Sequence, residues 1–230
     1  GKSVMNFLSL SGDEKITSIL ALQKDAKKDG LYLLMVTKAG VAKKVAAKDF
    51  FEVRRSGLIA LKLHKGDELI SALLVGKGDT VILTTTQGQA IRFKESDIRE
   101  MGRGAAGVRA MKLGSTDTIM GASVVSKDAE DAEILVLSEV GYGKKTKLKE
   151  YKIQKRGGSG IKTAKVSQKT GKLIASHVIE EGEDELVIIS KKGQVIRTGL
   201  NEIPTLGRST QGVRIMKLRA GDGIASLICL

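Results

Sequence analysis

The sequence predicts an all-β protein, a propeller-like disc of four-stranded repeats, and three observations predict it. Turn glycines Gly40, Gly88, Gly141 and Gly193, in TKAGVAKKV, TTQGQAIRF, SEVGYGKKT and SKKGQVIRT, are separated by 48, 53 and 52 residues. A second set, Gly57, Gly107, Gly160 and Gly212, opens GLIALKL, GVRAMKL, GIKTAKV and GVRIMKL at separations of 50, 53 and 52. Between the glycines lie short runs rich in Val, Ile, Leu and Thr, with no helical stretch of useful length, and self-similarity at this period marks propeller-type repeats. A β-sandwich would account for the strands but not for the period.

Each repeat opens with a buried strand: Leu31 to Thr37, Thr80 to Thr86, Glu133 to Ser138 and Glu185 to Ser190. The Gly turn leads into a basic hairpin partner such as Ala90 to Phe93 or Val195 to Thr198. A loop follows, FEVRRSG, IREMGRGAAG, YKIQKRGGSG or IPTLGRSTQG, in which glycine supplies positive φ and Pro204 is the sole proline. The third strand is expected at Leu58 to Leu63 and Val108 to Leu113, and a Gly/Asp turn then delivers a fourth, such as Leu69 to Val75. This gives one domain with four repeats at about 31–75, 80–125, 133–179 and 185–230, preceded by a half repeat in 1–22. In the half repeat, Val4 to Leu10 matches the third strand, Gly12-Asp13 the turn and Ile16 to Leu22 the fourth strand. The initial Gly1, leading almost at once into a strand-like run, points to a fragment of something longer.

Composition narrows the partner. The chain is 41% hydrophobic, enough for a real core, and carries 39 basic against 26 acidic residues, a net charge of +13 that points to a polyanion. A basic membrane-surface protein would need an amphipathic helix with bulky anchors, yet Trp is absent and the four Phe and three Tyr are scattered. No eighteen-residue apolar run or charged-then-apolar leader is present. The lone Cys229, expected in the core, excludes an internal disulfide framework and fits a reducing cytoplasm.

Catalytic and metal readings find little support. GRGAAG at Gly102 to Gly107 has GxGxxG spacing, but VRAMKL after it reads as a strand where a dinucleotide site needs a helix. His64 and His177 are isolated, so neither a metal pair nor a catalytic dyad is expected. The acids Glu180, Glu181, Glu183, Asp184 and Glu185, echoed by Asp128, Glu130, Asp131 and Glu133, read as solvated turns between repeats.

The basic residues carry the functional argument. Lys43, Lys44, Arg54 and Arg55 in one repeat are echoed by Arg92, Lys94, Arg99 and Arg103, then by Lys144, Lys145, Lys155 and Arg156, then by Arg197 and Arg208. The segment Gly141 to Gly160 is the densest, with seven cations against the single acid Glu150. Cations repeated at one phase would form a positive rim suited to a phosphate backbone, and with few aromatics the ligand is duplex rather than stacked single strands. As hairpin and loop residues, Lys144, Lys145, Lys155 and Arg156 are expected to tolerate charge reversal with little loss of folding. The alternative is a propeller scaffold binding an acidic protein partner.

The chain resembles one family along its whole length: the C-terminal DNA-wrapping domain of the bacterial DNA gyrase A protein, related to that of topoisomerase IV. The resemblance is carried by RFKESDIREMGRGAAGVRAMKL (Arg92 to Leu113), GYGKKT (Gly141 to Thr146), QKRGGSGIKTAKV (Gln154 to Val166) and GRSTQGVRIMKL (Gly207 to Leu218). It implies a β-pinwheel, in which neighbouring blades exchange strands and a basic rim wraps duplex DNA to support negative supercoiling. It also implies a non-catalytic, cofactor-free domain, with the cleavage tyrosine and ATPase elsewhere, and a cytoplasmic partnership with the rest of gyrase A and with the B subunit. The family's box, Q-K/R-R-G-G-K/R-G, belongs to its first blade. Here Gln154, Lys155, Arg156, Gly157, Gly158 and Gly160 match it in the third full repeat, and Ser159 replaces a base. The resemblance thus implies a degenerate copy, a missing first blade and half of a second, and no complete six-blade ring.

Overall fold

A computed structural model describes residues 14–22, 30–52, 57–129 and 131–230. The expected strand Val4 to Leu10, the turn Gly12-Asp13, and Arg54, Arg55 and Glu130 lie outside the described residues. Ile16 to Leu22 forms no strand, and Ile16, Ile19 and Leu20 are exposed. No described strand pairs with it, and an unpaired apolar strand has no ladder to hold it.

Four hairpins carry the architecture: β1 (Leu31–Thr37) with β2 (Val41–Ala46), β4 (Thr80–Thr85) with β5 (Gln89–Lys94), β8 (Glu133–Ser138) with β9 (Tyr142–Lys147), and β13 (Glu185–Ser190) with β14 (Val195–Gly199). Each ends in a short 3₁₀ turn: Ala47–Phe50, Glu95–Asp97, Leu148–Glu150 and Leu200–Glu202. The first strand of each hairpin also pairs with its repeat's fourth strand, β3 (Leu69–Gly76), β7 (Ile119–Val125), β12 (Leu173–Val178) or β16 (Ile224–Cys229). β1 and β4 bury nearly every residue because their sheets are covered on both faces, which explains their continuous apolar runs.

The third strands leave their own repeats. β6 (Val108–Arg109), in the second repeat, pairs with β2 of the first; β11 (Ile161–Lys162) pairs with β5; β15 (Val213–Arg214) pairs with β9. Sheet orders are therefore β3-β1-β2-β6 and β12-β8-β9-β15, with β10 (Ile153–Gln154) and β11 both joining β5 in the second sheet, and β14-β13-β16 in the fourth. This is the strand exchange of a pinwheel, as the family resemblance implied.

The third strands are also shorter than expected: Val108 to Leu113 contracts to two residues, and Leu58 to Leu63 forms no strand. The hydrogen bonding gives the reason. The amides of Ala110 and Met111 both donate to the Gly40 carbonyl, at 2.8 and 3.2 Å, so the ladder ends there. Thr163 and Ala164 do the same at Gly88, and Ile215 and Met216 at Gly141. The turn glycine is needed twice over: Gly40 has φ +82°, and a Cβ on it would lie 2.8 Å from the Met111 carbonyl oxygen.

Successive fourth strands meet at one edge. β7 packs against β3 and β12, and β12 against β16; beside the β7–β12 contact, Thr84 Oγ1 on β4 lies 2.5 Å from Ser176 Oγ on β12. This edge is the inner one, and the donated strands β6, β11 and β15 form the opposite, outer edge. Core clusters span neighbouring repeats: Val36 and Ala42 pack with Val81, Ile91 and Met111, while Leu135 and Leu137 pack with Leu186, Ile188 and Met216. Burial of that apolar surface joins each repeat to the next.

Candidate nucleic-acid interface

The outer edge carries a cation pair on each donated segment. In GVRAMKL, GIKTAKV and GVRIMKL, the second and fifth residues after the glycine are Arg109 and Lys112, Lys162 and Lys165, and Arg214 and Lys217, all exposed. The two residues between each pair turn inward, with Ala110, Met111, Thr163, Ala164 and Met216 buried. The ladder ends at the shared glycine carbonyl, so strand pleating does not carry through to the second cation, and both cations are exposed. The first repeat has Ile59 at the first position and Lys62 at the second, both exposed. None of these cations stood among the expected contacts, although the repeated R/K-x-x-K in the second glycine ladder was the signal.

Several expected contacts face inward. Lys43 and Lys144 are 0% and 1% exposed, and Lys44 is 6% exposed. Lys144 Nζ donates to the carbonyls of Gly207 at 2.5 Å and Arg208 at 2.7 Å and to Thr210 Oγ1 at 3.1 Å. Lys43 Nζ donates to the carbonyls of Ala60 and Arg103. Lys44 pairs with Glu95 and lies 4.6 Å from the Tyr32 ring centroid; Lys145 pairs with Glu133 at 3.0 Å. Burial pushes the Lys43 ammonium below its ordinary range, with Arg103 adding repulsion. Burial pushes Lys144 down to about 8, against the pull of nearby Glu150. Lys43, Lys44 and Lys144 are thus buried rather than presented on a rim, and the expectation that reversing Lys144 spares folding meets an amine enclosed by acceptors. The Lys43, Lys44 and Lys144 amines each bond to the next repeat, Lys43 also to Ala60 of its own, and a carboxylate at 144 would face the Gly207 and Arg208 carbonyl oxygens.

The loops before the donated strands divide in the same way. Arg99 and Arg103 are exposed, as is Lys94. Lys155 is 91% exposed in its side chain and pairs with Asp97 at 3.2 Å. Arg156 is half-buried: Nε donates to the Asp97 carbonyl at 2.7 Å and Nη1 to the Arg109 carbonyl at 2.9 Å. Arg208, one repeat further on, sends Nη1 to the Lys162 carbonyl at 3.0 Å. In the box-like segment, Gln154 lies in β10, the Gly157 amide donates to the Ala110 carbonyl, and the Gly158 carbonyl accepts from Lys112 N. A Cβ at Gly160 would overlap the Ala90 carbonyl, and Ser159 is exposed. The glycines serve close backbone docking. Arg92 is half-buried, bonded to Thr80 Oγ1 and the Leu148 carbonyl, and burial lowers its pKa. Arg197 is exposed and pairs with Glu185, which holds its pKa up.

Acids gather away from the outer edge. Asp79, Asp128, Asp131, Glu133, Glu180 and Glu181 border a recess of about 1170 Å³ between the inner turns, with Lys127 also on its wall. His177 Nε2 lies 2.9 and 2.8 Å from the Glu183 carboxylate oxygens, and the Cys229 thiol is nearby. Burial and Glu183 push that thiol up to about 11, so it is neutral at physiological pH. The acids of this recess are thus separate from the cation pairs, none of which lines it.

Strand-exchanging sheets with their fourth strands inward and cations on each donated strand define a β-pinwheel with a basic outer edge. The chain belongs to the family described as "DNA gyrase C-terminal domain, beta-propeller", which matches residues 31–75, 79–126, 132–180 and 184–230. It is similar to the DNA gyrase A protein of Staphylococcus epidermidis, 37% identical over 97% of this chain and 24% of that protein. The gyrase A of Lawsonia intracellularis is 36% identical over 96% of this chain and 27% of that one. Among solved structures, a DNA gyrase A C-terminal domain matches with a TM-score of 0.86 and 29% identity, over 99% of this chain and 74% of the other. A DNA topoisomerase IV C-terminal domain matches in fold with a TM-score of 0.90 at 24% identity, over 100% of this chain and 70% of the other. The chain thus spans about a quarter of the curated relatives' length.

Proposed function

We propose that this chain is a single non-catalytic domain that binds duplex DNA along its outer edge and bends or wraps it, as part of a type IIA topoisomerase of the gyrase A kind working with a B subunit in the cytoplasm. The observation that carries the reading is the exposed cation pair repeated on the donated segments that begin with β6, β11 and β15. Cations fixed on successive sheets suit an evenly charged backbone and need no base contact. Arg99, Arg103 and Lys155 flank the pairs and extend the path.

Bending duplex costs of order 1–6 kcal/mol per 20–30 base pairs, so contacts must run over several repeats to offset it. Six paired cations on three donated segments provide that span. The test is a salt titration of duplex binding with the intact chain and with a sixfold variant carrying Gln at 109, 112, 162, 165, 214 and 217. Each phosphate contact contributes about 0.9 to the slope of log affinity against log salt. The expected result is a steep slope that collapses in the variant while far-UV circular dichroism is retained. An unchanged slope would place the duplex elsewhere, and a wild-type chain without salt-sensitive binding would overturn the reading.

A further inference from the structure

We propose that Lys144 and Arg208 are positioning residues that set the spacing between the cation pairs of the third and fourth repeats; the inference rests on the duplex reading above. Lys144 lies on β9, directly beneath the loop that leads into β15, and its three acceptors, Gly207 O, Arg208 O and Thr210 Oγ1, all belong to that loop. The fixed loop holds the Arg208 side chain 30% exposed, where it reaches the Lys162 carbonyl on the neighbouring donated strand. The return bond runs from the Lys165 amide to the Thr210 carbonyl at 3.0 Å. The chain of contacts therefore runs from Lys162 and Lys165, through Arg208 and the loop, to Arg214 and Lys217. Neither Lys144 nor the bonded edge of Arg208 is presented outward, so their charge acts through the loop.

The same task recurs with different side chains, which argues that the loop must be held and not merely filled. Lys43 holds the loop before β6 through the Arg103 carbonyl. At the equivalent place in β5 stands Ile91, which packs near Gly158, and there Arg156 anchors the loop by bonding the Asp97 and Arg109 carbonyls. Arg156 and Arg208 each grip the carbonyl of the first ladder cation in the preceding donated strand, Arg109 or Lys162. A ladder braced repeat to repeat has its curvature set before duplex arrives, so less ordering cost falls on binding.

Because spacing matters only when duplex spans more than one repeat, duplex length separates positioning from direct contact. K144M, R208A and the double variant would be measured against duplexes of about 30 base pairs and about 10 base pairs, one helical turn. We expect each single variant to lose about tenfold on the long duplex, the size of one charge-assisted hydrogen bond. We expect the short duplex to change less than about twofold, within rim-contact effects. The double variant should lose no more than the more affected single variant, because both act through one loop. Hydrogen exchange at the Lys165 amide should accelerate in K144M. If K144M fails to fold, R208A carries the comparison, since Arg208 is partly exposed. Equal losses on both lengths, additive losses, or an unaltered long-duplex affinity in R208A would overturn the inference. Absence of salt-sensitive binding by wild type would overturn the duplex reading with it, a failure recognisable before any variant is compared.

Discussion

The third and fourth sheets begin from similar hairpins and end in different environments. β9 receives β15 from the next repeat, whereas β14 has no donated strand among the described residues. At the third turn, a Cβ on Gly141 would collide with the Met216 carbonyl; at Gly193 there is nothing within 4 Å. Lys144 is sealed under the loop of its neighbour, while the equivalent Ile196 is half-buried and Val195 is 57% exposed. Lys145 pairs with Glu133 at 13% exposure, but Arg197 pairs with Glu185 at 65%. A hairpin residue's burial is therefore decided by the repeat that follows it.

The largest effect that would break or sharpen this comparison is charge reversal at the two equivalent sites. K144E should destabilise the fold by about 3–5 kcal/mol, the cost of an uncompensated charge buried against carbonyl oxygens, with the loss read from urea denaturation. I196E, beside an open edge, should shift the midpoint much less. Equal shifts would show that the following repeat is not what buries this position.

Glycine substitution gives the next effect. G141A should cost roughly 3 kcal/mol or more, adding backbone displacement to a left-handed φ, whereas G193A bears only the conformational cost of about 1–2 kcal/mol. Their φ values of +87° and +82° are nearly the same, so a difference in unfolding midpoint isolates the donated strand.

The last effect is in the pH dependence. Lys144 titrates near 8 in the folded chain against an ordinary 10.5, so the unfolded chain holds the proton more tightly across that window. Stability from this group should rise as pH climbs from 8 towards 10.5 and level off beyond it. The difference between wild type and K144M should show that rise, and a flat difference would mean the amine is not desolvated. The neutral amine still has two N–H donors for its three acceptors, so the loop stays held.

Much of this was legible in the chain. The hairpin strands Leu31–Thr37, Glu133–Ser138 and Glu185–Ser190 fall where Val, Ile and Leu runs meet turn glycines, because local β propensity and turn chemistry agree. The lysines mislead for a physical reason. KK in GVAKKV and GYGKKT resembles a solvated edge, and the carbonyls of a loop some sixty residues later, with that of Ala60 for Lys43, turn Lys43 and Lys144 into internal donors. Arg109, Lys162 and Arg214 do not stand out in the sequence because a two-residue strand carries no alternation of its own, and the sheet edge it joins sets its exposure.

The sequence by itself determined the period, the hairpins, the turn glycines and the excess of positive charge, all consequences of local conformational preference and composition. The tertiary structure decided which sheet each third strand joins, and with it which cations face outward and which are engaged by the neighbouring repeat. That choice rests on backbone hydrogen bonds and burial between residues distant in sequence, such as Gly40 with Ala110 and Met111, which no local pattern encodes.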